Sequence, residues 1–314
     1  MTVMNSFVSF IMAAVTTFTG TFDEPNVRPA PDIPYTPIQA QIDEAAQVAQ
    51  GSGIYTGITI IDRAHGNLMK SNADAAHHQF TMESAGRLPI LLYAARIDEE
   101  VGKGNVPDIA SMMQGFSGEA TERLWTKYGG TSIIGDVAKR YNLQETTAGS
   151  GWRDTKTSAV DIGRMYRRFL DDDGVDVETK KYVIQLLRST SPTVVGEDMS
   201  FGLPTAMGAV NTGTVNDELA WVQGWSPSGS DPMIRTTSGV IGEDMRYIVV
   251  IASEVVSDID DAAANATLNQ VAQTLIGGNN AGSLEGTFGP DDQELGREFS
   301  KMQEEIFGDF VKNN

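Results

Sequence analysis

Three short stretches group hydroxyls, carboxylates and a guanidinium in ways that suit chemistry on a carbonyl. The first is Phe80-Thr-Met-Glu83-Ser84-Ala-Gly-Arg87, which runs straight into the apolar segment LPILLYAA. The second is Ser117-Gly118-Glu119, followed by Ala-Thr-Glu-Arg-Leu-Trp125. The third is Asn211-Thr212-Gly213-Thr214. A serine hydroxyl can attack an acyl group, provided that a neighbouring base takes its proton. Arg87, three residues after Ser84, cannot be that base, because a guanidinium stays protonated in proteins.

Composition removes most other chemistries. The chain of 314 residues has no cysteine, so thiolate nucleophiles, thiolate metal sites, disulfides and a lipidated cysteine are all excluded. Its three histidines, His65, His77 and His78, leave a Ser-His-Asp triad few positions. His77 and His78 are adjacent, point opposite ways on an extended chain and lack a flanking acid cluster, so surface polarity suits them better than a metal. Asp171-Asp172-Asp173-Gly174 lacks the full spacing of a calcium loop. There is no Walker loop and no G-x-G-x-x-G. No cofactor is expected. The charge of −19, from 23 basic and 42 acidic residues, disfavours nucleic acid as a partner.

The elements that must position these residues follow from periodicity. Ile38, Ile42, Ala45, Ala46 and Ala49 lie at helical spacing, with Gly51 closing the run. Residues 56–62 read as a strand and His65-Gly66-Asn67 as a turn. Residues 84–187 are mainly helical in pattern. Residues 219–225, 234–241 and 246–253 read as three strands, and 260–276 as a last helix. Trp221 and Trp225, four apart on one strand, share a face, and core packing is the expectation. Strands at both ends with helices between them predict an α+β fold whose antiparallel sheet joins the first and last strands.

The flanks differ in character. Residues 1–20 carry no charged side chain and hold the apolar core FVSFIMAAVTTF, which predicts a signal peptide or membrane anchor. Residues 21–37 form a Pro-rich linker, with Pro25, Pro29, Pro31, Pro34 and Pro37. The folded domain is expected over 38–276 and a soft linker over 277–289. A C-terminal amphipathic helix over 290–312 aligns Leu295, Phe299, Met302, Ile306 and Phe310. The expected location is extracytoplasmic, with membrane contact only through the N-terminal segment.

The three stretches together resemble the serine β-lactamase and penicillin-binding-protein superfamily, whose motifs S-x-x-K, S-D-N and K-T-G occur in that order. The resemblance spans about residues 38–276. It implies a β-lactamase/transpeptidase-like fold with Ser84 as nucleophile and Arg87, Ser117 and Glu119 as further catalytic positions. It also implies Asn211, Thr212, Gly213 and Thr214 along the substrate, with the backbone N–H groups of Ser84 and Thr214 as an oxyanion hole.

The departures from the pattern bear on function. The S-x-x-K lysine is Arg87, S-D-N reads Ser117-Gly118-Glu119, and K-T-G reads Asn211-Thr212-Gly213. The interval from Ser84 to Ser117 is shorter than is usual for β-lactamases. No E-x-x-L-N counterpart is found; residues 147–157 (TAGSGWRDTKT) stand in that part of the chain, with Asp154 their only acid. Losing the general base alone costs roughly 10²–10⁴-fold in rate. Two readings stay open. One is a non-catalytic relative whose cleft binds a cell-wall peptide, a β-lactam-like small molecule or an envelope protein. The other is a serine hydrolase of β-lactamase, D,D-peptidase or esterase type acylated at Ser84, with Glu83 or Glu119 as an improvised base. A further expectation is that Arg87 and Glu119 changed together and form a charge-assisted hydrogen bond across the cleft floor.

Overall fold

β-Branched and aliphatic residues run nearly unbroken through Ile54–Asp62 (β1), Leu219–Trp225 (β7), Met233–Ile241 (β8) and Tyr247–Val255 (β9), and these segments pair as strands. With Leu68–Ser71 (β2) they form a five-stranded antiparallel sheet in the order β2-β1-β9-β8-β7. The first long strand lies directly against the last, Ile58 opposite Ile251, as the order of elements predicts. The computed structural model describes residues 36–276, apart from 64–67, 192, 195–196, 209–217, 228, 243–244 and 257. The segments 1–20, 21–35, 277–289 and 290–312, and the third motif at Asn211, Thr212, Gly213 and Thr214, lie outside the described residues.

Both faces of the sheet are covered, which is why its long strands are buried nearly throughout instead of alternating between buried and exposed. Along β9, Ile248, Val250 and Ala252 enter one core layer and Tyr247, Val249 and Ile251 the other. The second layer is closed by two helices, Thr36–Gly51 (α1) and Asp261–Ile276 (α10). Ile38, Ile42, Ala45 and Ala49 come from α1, and Leu268, Val271 and Leu275 from α10. Trp221 is buried in that layer and Trp225 packs on it, as their shared face predicts.

The first layer is a helical region inserted between β2 and β7. It contains Arg87–Ile97 (α2), Glu99–Gly102 (α3), Pro107–Met113 (α4), Gly118–Tyr128 (α5), Ser132–Tyr141 (α6), Ala159–Leu170 (α7) and Val177–Arg188 (α8). Two-residue pairings add Phe80–Thr81 (β3) with Lys156–Thr157 (β4), and Thr193–Val194 (β5) with Glu197–Asp198 (β6). The short helix Leu203–Ala206 (α9) precedes β7. The β3–β4 pairing is what holds the 147–157 loop on the turn that carries Ser84.

Helix α2 positions the first motif. Leu88, Ile90, Leu91, Leu92 and Ala94 are fully buried, so the helix is apolar on every side, as an interior helix must be. A 3₁₀ turn, Glu83–Gly86, leads into it. That turn is clamped from two directions. Met82 N–H donates to Thr155 O at 2.8 Å, and Glu83 N–H donates to Arg153 O at 3.0 Å. On the other side β7 comes so close that a Cβ on Gly224 would lie 2.8 Å from Met82 O and 3.2 Å from Ala85 Cβ. Glycine in a strand interior usually marks such a backbone approach. Among the described residues no helix is long and apolar enough to cross a membrane.

Candidate functional site

Ser84 is only 4% exposed, and both hydrogen-bonding roles of its hydroxyl are filled. The hydroxyl donates to Gln223 O at 3.0 Å and accepts from Trp225 N–H at 2.8 Å. The strand beside the serine is therefore the end of β7, at Gln223-Gly224-Trp225. The backbone N–H next to Ser84 is that of Trp225. Thr214, the residue expected to supply it, lies outside the described residues. The Gln223 side chain points away to a structural duty: its amide donates to Met199 O and Phe201 O at 3.0 and 2.6 Å.

Glu83, just before the serine, has φ of +47°, a left-handed conformation that a side chain of this size seldom adopts. Such residues cost of order 1–3 kcal/mol and persist where the surroundings over-determine them. The two clamping strands of chain described above do that here. Burial raises the Glu83 carboxyl above its ordinary pKa, and the Arg153 guanidinium 3.4 Å away offsets only part of that rise.

Arg87 is 3% exposed and has no carboxylate partner among the described residues. Its charge is met by neutral acceptors. Nε donates to Thr121 Oγ1 at 3.2 Å, one terminal nitrogen to Ser84 O at 3.0 Å and the other to Phe116 O at 2.8 Å. The guanidinium carbon lies 5.1 Å from the Phe116 ring centre and 4.8 Å from that of Trp152. Arg153 also lies over Trp152, at 4.6 Å. A buried cation with hydrogen bonds and π faces around it is tolerable where a bare one is not. Burial, with Arg153 nearby, still lowers its pKa, to about 9. At neutral pH it remains a cation and holds no lone pair with which to take the Ser84 proton.

The expected Arg87–Glu119 hydrogen bond is not formed. The Glu119 side chain is 92% exposed, and its nearest cation is Arg123, 4.0 Å away on the same helix. The reason is local. Ser117 is the N-cap of α5, its hydroxyl accepting from Ala120 N–H at 3.2 Å, which puts Glu119 in the first turn on the solvent side. Thr121, one turn after Ser117, faces inward instead. Its hydroxyl donates to Ser117 O at 2.6 Å while accepting from Arg87. So Ser84 and Arg87 are brought together, Ser117 adjoins them through Thr121, and Glu119 leaves the group.

Sequence reasoning missed Phe116, Thr121, Trp152 and the Gln223–Trp225 edge. The apolar spacing of Ala120, Leu124, Trp125 and Tyr128 marks the inner face of α5 and would have placed Thr121 on it and Glu119 off it. Trp152 is 2% exposed, and its indole N–H donates to Glu122 at 2.7 Å. It fills the space over Arg87 in the loop where the resemblance leads one to look for a water-positioning glutamate. The two adjacent histidines go to separate acids, His77 to Glu145 and His78 to Glu254. No group of three or more metal-ligating residues occurs among the described residues.

No family model matches the chain. Among curated proteins, "Putative lipoprotein LppW" of Mycobacterium tuberculosis and of Mycobacterium bovis is 28% identical over 255 residues, covering 79% of this chain and 77% of the relative. Among solved structures, a β-lactamase from Chitinophaga pinensis superposes with a TM-score of 0.59 at 10% identity, over 75% of this chain and 97% of that one. A class A β-lactamase from Bacteroides cellulosilyticus gives 0.60 at 9% identity, over 76% and 96%. The chain has the fold of the serine β-lactamases.

Proposed function

We propose that this protein is a non-catalytic, extracytoplasmic relative of the serine β-lactamases and penicillin-binding proteins, in which the old cleft serves binding rather than acyl transfer. The observation that carries this reading is Arg87. A guanidinium that stays charged at neutral pH, held by three neutral acceptors and two aromatic rings, stands where the S-x-x-K pattern has its proton-accepting lysine. The state of Ser84 supports it further: its hydroxyl is buried and engaged with backbone, with no base as its acceptor. Fold alone does not decide the matter, because one fold hosts many functions.

The name of the mycobacterial relative supports placing the protein in the cell envelope, as do the uncharged apolar start and the Pro-rich stretch that follows. Residues 1–20 are the segment of this chain suited to meet the membrane. A cell-wall peptide, a β-lactam-like small molecule or an envelope protein suits the cleft as a ligand.

A second reading is favoured by one observation, the raised pKa of Glu83, which would make that carboxylate a better base for Ser84. Intact mass after incubation with a labelled penicillin separates the two, comparing wild type with Ser84→Ala. No adduct on either protein is expected. A stoichiometric adduct within minutes, lost in Ser84→Ala, overturns the non-catalytic reading. Cell fractionation should find the protein in the envelope or medium, and a wholly cytosolic protein would refute the location.

A further inference from the structure

Away from the serine, a narrow recess opens where α7, α8 and the end of β1 meet. Leu170, Val177, Ile184 and Met245 wall it, and the surface it shows to solvent is almost wholly carbon. Its polar groups are already engaged. Arg63 donates to Met245 O and pairs with Asp171, Lys181 pairs with Glu178, and Asp171, Asp172 and Asp173 all act on the Lys180 amine. What the recess leaves unsatisfied is apolar. Val177, at its mouth, is 37% exposed, one of four large apolar side chains so placed among the described residues. The enclosed space of about 40 Å³ takes the tip of one branched side chain and not a ring.

The chain itself carries a segment with a matching need. Leu295, Phe299, Met302, Ile306 and Phe310 recur every three or four residues. A helix with that pattern has one apolar face, which needs a surface to cover it. Its branched tips are Leu295 and Ile306.

The point where this segment leaves the domain suits the recess. Helix α10 follows β9 after residues 256–260 alone and packs in the second layer, so it runs back along the sheet toward the end where β9 begins. Its 16 residues cover about 24 Å, most of the roughly 30 Å of β9, which brings Ile276 to the Tyr247 end. The recess opens at that same end. Met245 lies two residues before Tyr247, and Arg63 N–H donates to Arg246 O at 2.9 Å. Residues 277–289 can span about 45 Å when extended, ample to round the end of the sheet. The other apolar run of the flanks, 7–18, is set apart from α1 by the Pro-rich stretch 21–37, whose composition makes an extended spacer.

We propose that residues 290–312 form an amphipathic helix that docks on this face of the domain, Leu295 or Ile306 entering the recess and the neighbouring aromatic side chains covering Val177. Docking of this tail does not depend on whether Ser84 reacts.

The chain has no native cysteine, so Glu178→Cys in the full chain carries a benzophenone photo-crosslinker at one place, beside the recess and on a side chain 75% exposed. After illumination and digestion, the crosslinked peptide is expected within 290–312 of the same molecule, in a product of monomer mass. Two sets of substitutions in that background break either side of the contact. Leu295→Asp with Ile306→Asp removes the aliphatic tips without touching the domain. Val177→Asp puts a carboxylate at the mouth, where the first turn of α8 tolerates an acid. Each should cut the yield of that crosslink about ten-fold, the loss expected when one apolar side chain can no longer be buried. Four outcomes each overturn the proposal: no crosslink to 290–312, crosslinks chiefly to residues 1–20, a product of dimer mass, or a yield unchanged by either set of substitutions.

Discussion

Trp225 donates its backbone N–H to Ser84 Oγ at 2.8 Å, so the serine's own oxygen occupies the donor that an oxyanion would need. Any attack by Ser84 must begin by breaking this bond and the one to Gln223 O. The hydroxyl is part of the packing of the β7 edge against α2, in a way that an exposed, base-paired nucleophile is not.

Replacing Arg87 by methionine keeps the bulk and removes the donors. Ser84 O, Phe116 O and the Thr121 hydroxyl then lose their partner in a buried place. Arg87→Met should destabilise by about 3 kcal/mol. For a domain of this size, Tm in a calorimetric scan should fall by roughly 6 to 12 °C. Arg87→Lys should fall between the two, because a single ammonium cannot reach all three acceptors at the guanidinium's geometry. It should also leave β-lactam hydrolysis at background, since Ser84 remains tied to β7.

Glu119→Ala should change stability by no more than about 0.5 kcal/mol, as expected for a solvated side chain with one weak neighbour on its own helix. In a double-mutant cycle with Arg87→Met, urea melts should give additive effects. Coupling between the two positions would contradict the outward placement of Glu119.

Glu83 makes a pH-dependent contribution of known sign. Its folded-state pKa lies above the ordinary 4.5, with burial as the main cause. Between those two values the folded state binds more protons than the unfolded one, so stability from this group falls as pH rises through the window. Glu83→Gln removes the titration. The variant should gain on wild type as pH is raised from 4 to 7, measured as the difference between their melting temperatures. A difference that shrinks over that range would contradict the assigned shift.

Gly224→Ala tests the close approach of β7. The new methyl would sit 2.8 Å from Met82 O and 2.9 Å from Thr236 Cβ, and neither backbone can retreat without moving the serine turn or β8. A loss of about 2 kcal/mol is expected. Amide exchange at Trp225, whose N–H is held by Ser84, should speed up in the variant more than exchange in β9.

The frame was legible where periodicity is strong. Residues 219–225 and 260–276 stand within a residue of their expected limits, and the joining of β1 to β9 follows from where the strands fall along the chain. The serine helix was legible because LPILLYAA is apolar on all sides. The rest of the site was not, because it rests on backbone. Arg87 is held by two carbonyls, and Ser84 by one carbonyl and one N–H, and neither group leaves a mark on residue type. Asn211-Thr212-Gly213 matches two letters of the K-T-G pattern and lies outside the described residues. The meaning of Gly224 lies in the space it leaves, which residue type alone does not show.

The place of β7 in the sheet gives the serine one more role. Among the described residues β7 pairs with β8 alone, and its other side, which carries no strand, is covered by the Glu83–Gly86 turn and by α8. The Ser84 hydroxyl covers the carbonyl of Gln223 and the N–H of Trp225, two adjacent outward groups that an incoming strand would use. Farther along, the Thr190 hydroxyl reaches the carbonyl of Trp221 at 3.5 Å. Side-chain hydroxyls thus stand in for a sixth strand. An extended peptide seeking to lie along β7 must displace them first, which protects the molecule against edge-to-edge association.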